Sequence, residues 1–340
     1  MPTEEVLNVL DAAAIYRHDR YASPTAHAIL AEKIWGALRD LGVARGRMLV
    51  TGPYAGTLAG VPAPRLGAPG RRADAGYREL TAAIPPARWP HQALSPAEYT
   101  TYDPAQHDVV IANIPMAGLQ PRSVHSARRI EQAHRALLAQ AVARTFPGGV
   151  AVAVTAHQIL DHPASATRHF LSTRKARLLG AVRLPGTVLH HHHPEQASPV
   201  DLLVLRRPLP HETHAPANYL GAVPVNLPGG VELVNEWYAL HHPDHVIGRP
   251  RAVPDPDRDG TRYTVEHGEI PWDNALETAL ARITSTARDQ GLTAVSASWN
   301  PPVSRLAPEA DWSARATSPN LAAGQHPDPG AHARNHRPGL

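Results

Sequence analysis

The chain has no cysteine, so a disulfide framework and a thiolate metal site are both excluded. The polar residue placed best for chemistry is Asn113. It closes the run His107-Asp108-Val109-Val110-Ile111-Ala112-Asn113 and is followed by Ile114-Pro115-Met116. Val109, Val110 and Ile111 are β-branched and apolar, as suits a buried parallel strand. Pro115 cannot donate to a sheet ladder and pushes Ile114 towards extended geometry, so the strand stops there. Asn113 therefore sits at the carboxyl end of a strand, where open α/β sheets bind ligands. An ordinary strand ending in a turn has the same local pattern.

A second candidate lies upstream. In Arg47–Gly60 a short apolar strand, Met48–Val50, runs into Thr51-Gly52-Pro53-Tyr54-Ala55-Gly56-Thr57. Glycines in such a turn let the backbone approach a ligand closely. His190–His193 form a run of histidines, but adjacent side chains cannot all face one ion. No carboxylate or further histidine stands at ligand spacing, so a polar loop and no metal is expected. Arg168, Arg174, Lys175 and Arg177 form the densest basic patch, suited equally to DNA phosphates or to a solvated face.

The elements that position these residues are readable in outline. Glu4–Tyr16 has apolar residues at helical spacing, a candidate N-terminal helix within residues 1–20. Tyr21-Ala22-Ser23-Pro24 then leads into a helix over Thr25–Leu41, with Ser23 as its cap, Pro24 in the first turn and Gly42 as its stop. Arg128–Phe146 has the pattern of a long amphipathic helix. Pro147-Gly148-Gly149 should break it before a buried strand, Val150–Thr155. Tyr263–His267 suits a short strand and Ala275–Arg288 a helix. From Trp299 onward Pro, Gly, Ala, Ser, His and Arg dominate, so residues 299–340 are expected to be disordered.

In this order the segments resemble the N6-adenine-specific DNA methyltransferases that use S-adenosylmethionine. Asn113-Ile114-Pro115-Met116 is similar to their Asn-Pro-Pro-aromatic motif. There the Asn side chain and the next residue's carbonyl accept hydrogen bonds from the adenine amino group, and the aromatic stacks on the flipped base. The Tyr21-Ala22-Ser23-Pro24 stretch resembles the motif that touches the methionine part of the cofactor. The loop Thr51, Gly52, Gly56, Thr57 resembles the first cofactor loop. The Arg168–Leu171 and Leu178–Pro185 stretches resemble the segments that follow the catalytic loop, and Pro199–Arg207 looks like the hairpin strand after them. Val234–Tyr238 with His242–Gly248 resembles the phage- and plasmid-borne branch, whose methyltransferase is often joined to a helicase. The match covers about residues 20–250.

The resemblance implies an α/β, doubly wound, mostly parallel Rossmann-like domain over residues 20–210, with a small appendage over 211–298. It implies Asn113, Ile114, Pro115 and Met116 as catalytic residues. The cofactor contacts would be Tyr21, Ser23, Pro24, Thr51, Gly52, Gly56, Thr57 and Asp74. DNA is the implied partner, together with a helicase or restriction subunit.

The departures are specific. Val50 replaces an acidic residue, and Tyr54 replaces the middle glycine of the loop. The second strand, matched to Gly70–Asp74, has Arg72 where a ribose-binding Glu belongs, and an arginine cannot accept a hydrogen bond. Met116 replaces the stacking aromatic, and a thioether recovers only part of that contact, worth about 1–3 kcal/mol. Two functions follow as alternatives: methyl transfer to adenine N6 in DNA, or a catalytically decayed relative that binds DNA or a partner.

Composition is compatible with either. All but two of the 33 basic residues are arginine, the net charge is +3, and 22 histidines are present. Arginine forks suit phosphate, although the abundance of Ala, Pro, Arg and His also reads as coding bias. No long apolar run and no signal-like N-terminus is seen, so a soluble cytoplasmic protein with no membrane partner is expected.

Overall fold

The computed structural model describes residues 23–52, 54–59, 77–83, 92–94, 106–114, 124–163, 166–173, 176–189, 197–212, 217–255 and 259–295. Tyr21, Asp74, Pro115, Met116, Arg174, Lys175, the histidine run, the Glu4–Tyr16 helix and the segment from Trp299 lie outside the described residues.

Helix α1 spans Pro24–Asp40. It starts as its sequence requires: Ser23 Oγ accepts from the Ala26 amide at 3.1 Å, and Pro24 fills the first turn. Leu30, Ile34 and Leu38 recur at helical spacing and are all buried. Strand β1 (Arg45–Thr51) follows, then a short helix α2 (Ala55–Leu58). Next come β2 (Tyr77–Ala83), β3 (Gln92–Leu94) and β4 (His107–Asn113). The second strand therefore begins after the Gly70–Asp74 stretch to which the sequence assigned it, and it runs antiparallel to β1.

Helix α3 covers Val124–Arg144 and β5 covers Thr145–Ala156. Both boundaries correct the sequence reading. The helix starts earlier and ends before Phe146, and Pro147-Gly148-Gly149 lie inside the strand. The reason is packing on β4. The register jumps from His107 opposite Thr145 to Val109 opposite Val150, so the Pro-Gly-Gly residues form an irregularity that lets the strand continue. Helices α4 (Gln158–Asp161) and α5 (Ala166–Ser172) lead to β6 (Arg177–Leu184). Helix α6 (Gly186–Leu189) precedes β7 (Val200–Arg206). Two hairpins follow, β8–β9 (Ala222–Leu227 and Gly230–Asn235) and β10–β11 (Arg249–Pro254 and Thr261–Glu266), and then helix α7 (Trp272–Asp289).

The central sheet has seven strands in the order β3-β2-β1-β4-β5-β7-β6. The pairs β1–β4 and β4–β5 are parallel, whereas β5–β7, β7–β6, β1–β2 and β2–β3 are antiparallel. Five of the seven strands thus share one direction. The fold is α/β on a mixed sheet, an arrangement compatible with a Rossmann-like fold.

Both faces of the sheet are covered, as the uninterrupted apolar strands demand. Val50, Val109, Ile111, Val152 and Val204 pack under α1 and α7. The alternate residues Leu49, Val110, Ala151 and Leu203 pack under α3 through Leu137, Leu138 and Ala141. Helix α7 comes from the segment that the sequence set apart as an appendage, yet it lies in the same layer as α1. Its approach depends on Gly180 of β6, where a Cβ would stand 2.4 Å from Ile283 Cγ1. Among the described residues, no helix is long and apolar enough to cross a membrane.

Candidate functional site

The parallel strands β1 and β4 end side by side, with Thr51 paired to Ala112. One residue further on, Gly52 and Asn113 meet. Gly52 has φ +90°, and a Cβ there would fall 1.8 Å from the Asn113 carbonyl oxygen. Only glycine fits, in conformation and in space. Asn113 is 1% exposed, and side-chain alternation along β4 puts it on the α1 face with Val109 and Ile111. Ile114 is also buried, and its amide donates to the Val154 carbonyl at 3.0 Å, so it continues the ladder with β5.

The start of α1 belongs to the same edge. The Ser23 amide donates to the Leu189 carbonyl at 3.0 Å, which fixes the helix entry beside the end of α6. His27 Nδ1 donates to the Ser23 carbonyl at 2.8 Å, and the His27 ring stacks on Tyr54 with centroids 4.2 Å apart. Trp35 Nε1 donates to the Leu58 carbonyl at 2.8 Å and binds α1 to the end of α2. The structure thus brings together Ser23 and Pro24 at the start of α1, Thr51 and Gly52 at the end of β1, Gly56 and Thr57 in α2, and Asn113 at the end of β4.

Tyr54 is the departure that matters most here. Among the described residues it is the only non-glycine residue with positive φ, at +58° with ψ 23°. The backbone at this point adopts a shape natural to glycine, and a tyrosine in it carries about 1–2 kcal/mol of strain. Val50 is fully buried in β1 and offers no polar group to a ligand.

A second polar assembly, also at the carboxyl edge but on the α3 face, had no place in the sequence reading. Arg183 of β6 is fully buried. Its Nε and Nη2 each donate to Asp201 of β7 at 2.8 Å, and Nη2 also donates to Asp161 of α4 at 3.0 Å. The guanidinium lies 4.3 Å from the Tyr238 ring centroid and 5.0 Å from that of Tyr263. Burial by itself would push the Arg183 pKa down, but the two facing carboxylates outweigh it and hold it well above the ordinary value. For Asp161 burial raises the pKa, and the opposing pull of Arg183 and His157 leaves it lowered. Burial pushes the Tyr263 phenol up to about 12.

This assembly is a clamp. Asp161 Oδ1 accepts from the Asn235 amide at 2.8 Å, and Asn235 Nδ2 donates to the carbonyls of Leu160, Tyr219 and Gly221 at 2.8–3.0 Å. It fastens the β8–β9 hairpin to the sheet. The one sequence signal was a charged residue, Arg183 or Asp201, interrupting each of two apolar strands. Arg168 is likewise structural. It is buried, and its guanidinium donates to the carbonyls of Leu220, Leu160 and His162 at 2.7–2.8 Å. That corrects its assignment to a surface phosphate patch: three carbonyl acceptors hold it inside the protein.

A cavity of about 640 Å³ lies apart from the Asn113 edge, between β6, α7 and the turns after β9. No family model, curated protein or solved structure matches this chain.

Proposed function

We propose that the carboxyl edge at Gly52 and Asn113 is a site for S-adenosylmethionine-dependent methyl transfer to the N6 amino group of adenine in DNA, on a methyltransferase-type Rossmann-like domain. The observation that carries this reading is the contact between Gly52 and the Asn113 carbonyl at the ends of neighbouring parallel strands. It sets the glycine loop beside the catalytic-type Asn, as a reaction between a bound cofactor and a flipped base requires. The parallel centre of the sheet, β1-β4-β5, which carries both segments at its carboxyl edge, supports the same reading. So does the placement of Ser23 beside the loop through His27 and Tyr54.

In this scheme Asn113 and the Ile114 carbonyl orient the amino nitrogen, and the Thr51–Thr57 loop and the start of α1 hold the cofactor. Neither a metal nor a general base is required, because positioning and hydrogen bonding lower the barrier. A second reading, a decayed relative that binds DNA or a partner such as a helicase or restriction subunit, is favoured by Tyr54. That side chain stands at the place of the loop glycine, in a glycine-like conformation.

Calorimetric binding of S-adenosylmethionine and of adenine-containing DNA, paired with tritiated methyl transfer to that DNA, separates the two. Cofactor binding with transfer supports the enzyme. DNA binding with neither cofactor binding nor transfer supports the decayed form. Absence of all three removes the enzyme and the DNA-binding relative.

A further inference from the structure

The turns after β9 carry His241-His242-Pro243-Asp244-His245. Chain geometry makes the second and last histidines converge. Trp237–His241 forms a π-helical turn and Pro243–His245 a 3₁₀ turn. A 3₁₀ turn has about three residues per revolution, so side chains at i and i+3 eclipse. The rings of His242 and His245 accordingly lie face to face, with centroids 4.8 Å apart and planes 21° apart. Asp244 sits between them in sequence, and among the described residues one ligand atom from each of the three lies within 4.8 Å of the others.

His245 is 3% exposed and already oriented. Its Nδ1 donates to the Ala181 carbonyl of β6 at 3.0 Å. The lone pair is therefore on Nε2, and a carbonyl-oriented imidazole of this kind is the usual support for a metal-ligating histidine. Trp237 Nε1 donates to the same carbonyl at 3.2 Å, and the Trp237 ring lies 4.1 Å from that of His242. All three side chains line the 640 Å³ cavity, facing Arg177 of β6 and Arg282 of α7. Arg282 donates to Asp244 in an exposed ion pair.

We infer that His242, Asp244 and His245 bind a first-row divalent cation of the zinc class, with one coordination position open to the cavity. Two imidazoles and one carboxylate are a nitrogen- and oxygen-rich donor set that suits zinc, and three protein ligands with an open position differ from the closed four-ligand set of a structural site. Bonds of about 2.0–2.1 Å place tetrahedral ligand atoms about 3.3 Å apart. The ligand atoms must close by about 1.5 Å from their 4.8 Å spread, within reach of rotation at the partly exposed His242 and Asp244. The cation must also displace Arg282, whose exposed pairing with Asp244 is weak. The site shares no residue with the Asn113 edge, so its test is independent of the methyl-transfer reading.

Zinc is titrated into the full chain in competition with a chromogenic chelator, and cobalt binding is followed by its visible absorption. His190–His193 are replaced by alanine in the reference protein, so that weak binding to single imidazoles of that run is not counted with the site. One equivalent of zinc is expected. His242→Ala and Asp244→Asn should each weaken it about tenfold or more and remove the cobalt band. Arg282→Gln should tighten it about two- to fivefold by freeing the carboxylate. These variants alter partly exposed side chains, and circular dichroism checks that they fold. A reference protein that takes up no zinc overturns the assignment. So does undiminished affinity in both His242→Ala and Asp244→Asn.

Discussion

Replacing Arg183 by Met should do more than destabilise the protein; it should reverse the local dependence on pH. In the native chain the guanidinium faces two buried carboxylates, with contacts of 2.8 Å to Asp201 and 2.8 Å to Asp161. Removing one partner from a buried ion pair costs about 3–5 kcal/mol. Here two carboxylates lose their shared cation, and Asp161 keeps His157 at 2.8 Å and the Asn235 amide at 2.8 Å. The expected loss near pH 7 is therefore at the upper end of that range, against a total stability of about 5–15 kcal/mol for a typical domain.

The pH dependence follows from the direction of the shifts. The Asp161 pKa is lowered in the folded protein. Its contribution is present above the unfolded carboxylate pKa and is lost as pH falls through the lower folded value. Without Arg183, burial pushes Asp161 upward instead. Its contribution is then greatest where it is protonated and is lost as pH rises through the raised value. Urea unfolding of both proteins at pH 5 and pH 7 tests this. The gap between them should narrow at pH 5. A variant within about 1 kcal/mol of the parent at both pH values would refute the reasoning, since no uncompensated buried carboxylate could then exist.

Three further outcomes are expected. If the protein transfers methyl groups, Asn113→Ala should lower the rate by about 10²-fold or more while S-adenosylmethionine binding persists; an unchanged tritium-transfer rate would remove Asn113 from the chemistry. At Tyr54, glycine should be tolerated better than alanine, because only glycine relieves the left-handed strain while both lose the stack on His27. The difference should be about 0.5–1 kcal/mol after the chain-entropy cost of glycine, and equal melting temperatures would argue against strain at this residue. Gly180→Ala should destabilise by about 1–3 kcal/mol through its clash with Ile283. Ile283→Ala should recover part of that loss in the double variant, and additive losses would show that the two sites are not coupled.

Some of this protein is legible from sequence alone, where the physical cause is local. Ser23, Pro24 and the spacing of Leu30, Ile34 and Leu38 specify α1, because a cap and a periodic face act within a few residues of chain. The apolar run of β4, β11 and α7 are readable for the same reason, whereas β6 and β7 were expected from the resemblance. The position of Asn113 at a strand end follows from Val109–Ile111 and Pro115. Gly52 stands against the Asn113 carbonyl at the ends of the neighbouring parallel strands β1 and β4.

What sequence left undetermined depended on partners far along the chain. Nothing local to Pro147-Gly148-Gly149 says that β4 will hold them in a strand. The direction of β2 is a property of its pairing with β1 rather than of its own residues. Arg168 and Arg183 have the composition of surface cations, and only the carbonyls and carboxylates brought to them by tertiary packing make burial tolerable. His242 and His245 stand near each other in sequence, but their common orientation comes from a 3₁₀ turn and from the Ala181 carbonyl of a distant strand. Hydrogen bonds and ion pairs between separate elements have no signature in local periodicity, because their energy exists only once the sheet has assembled.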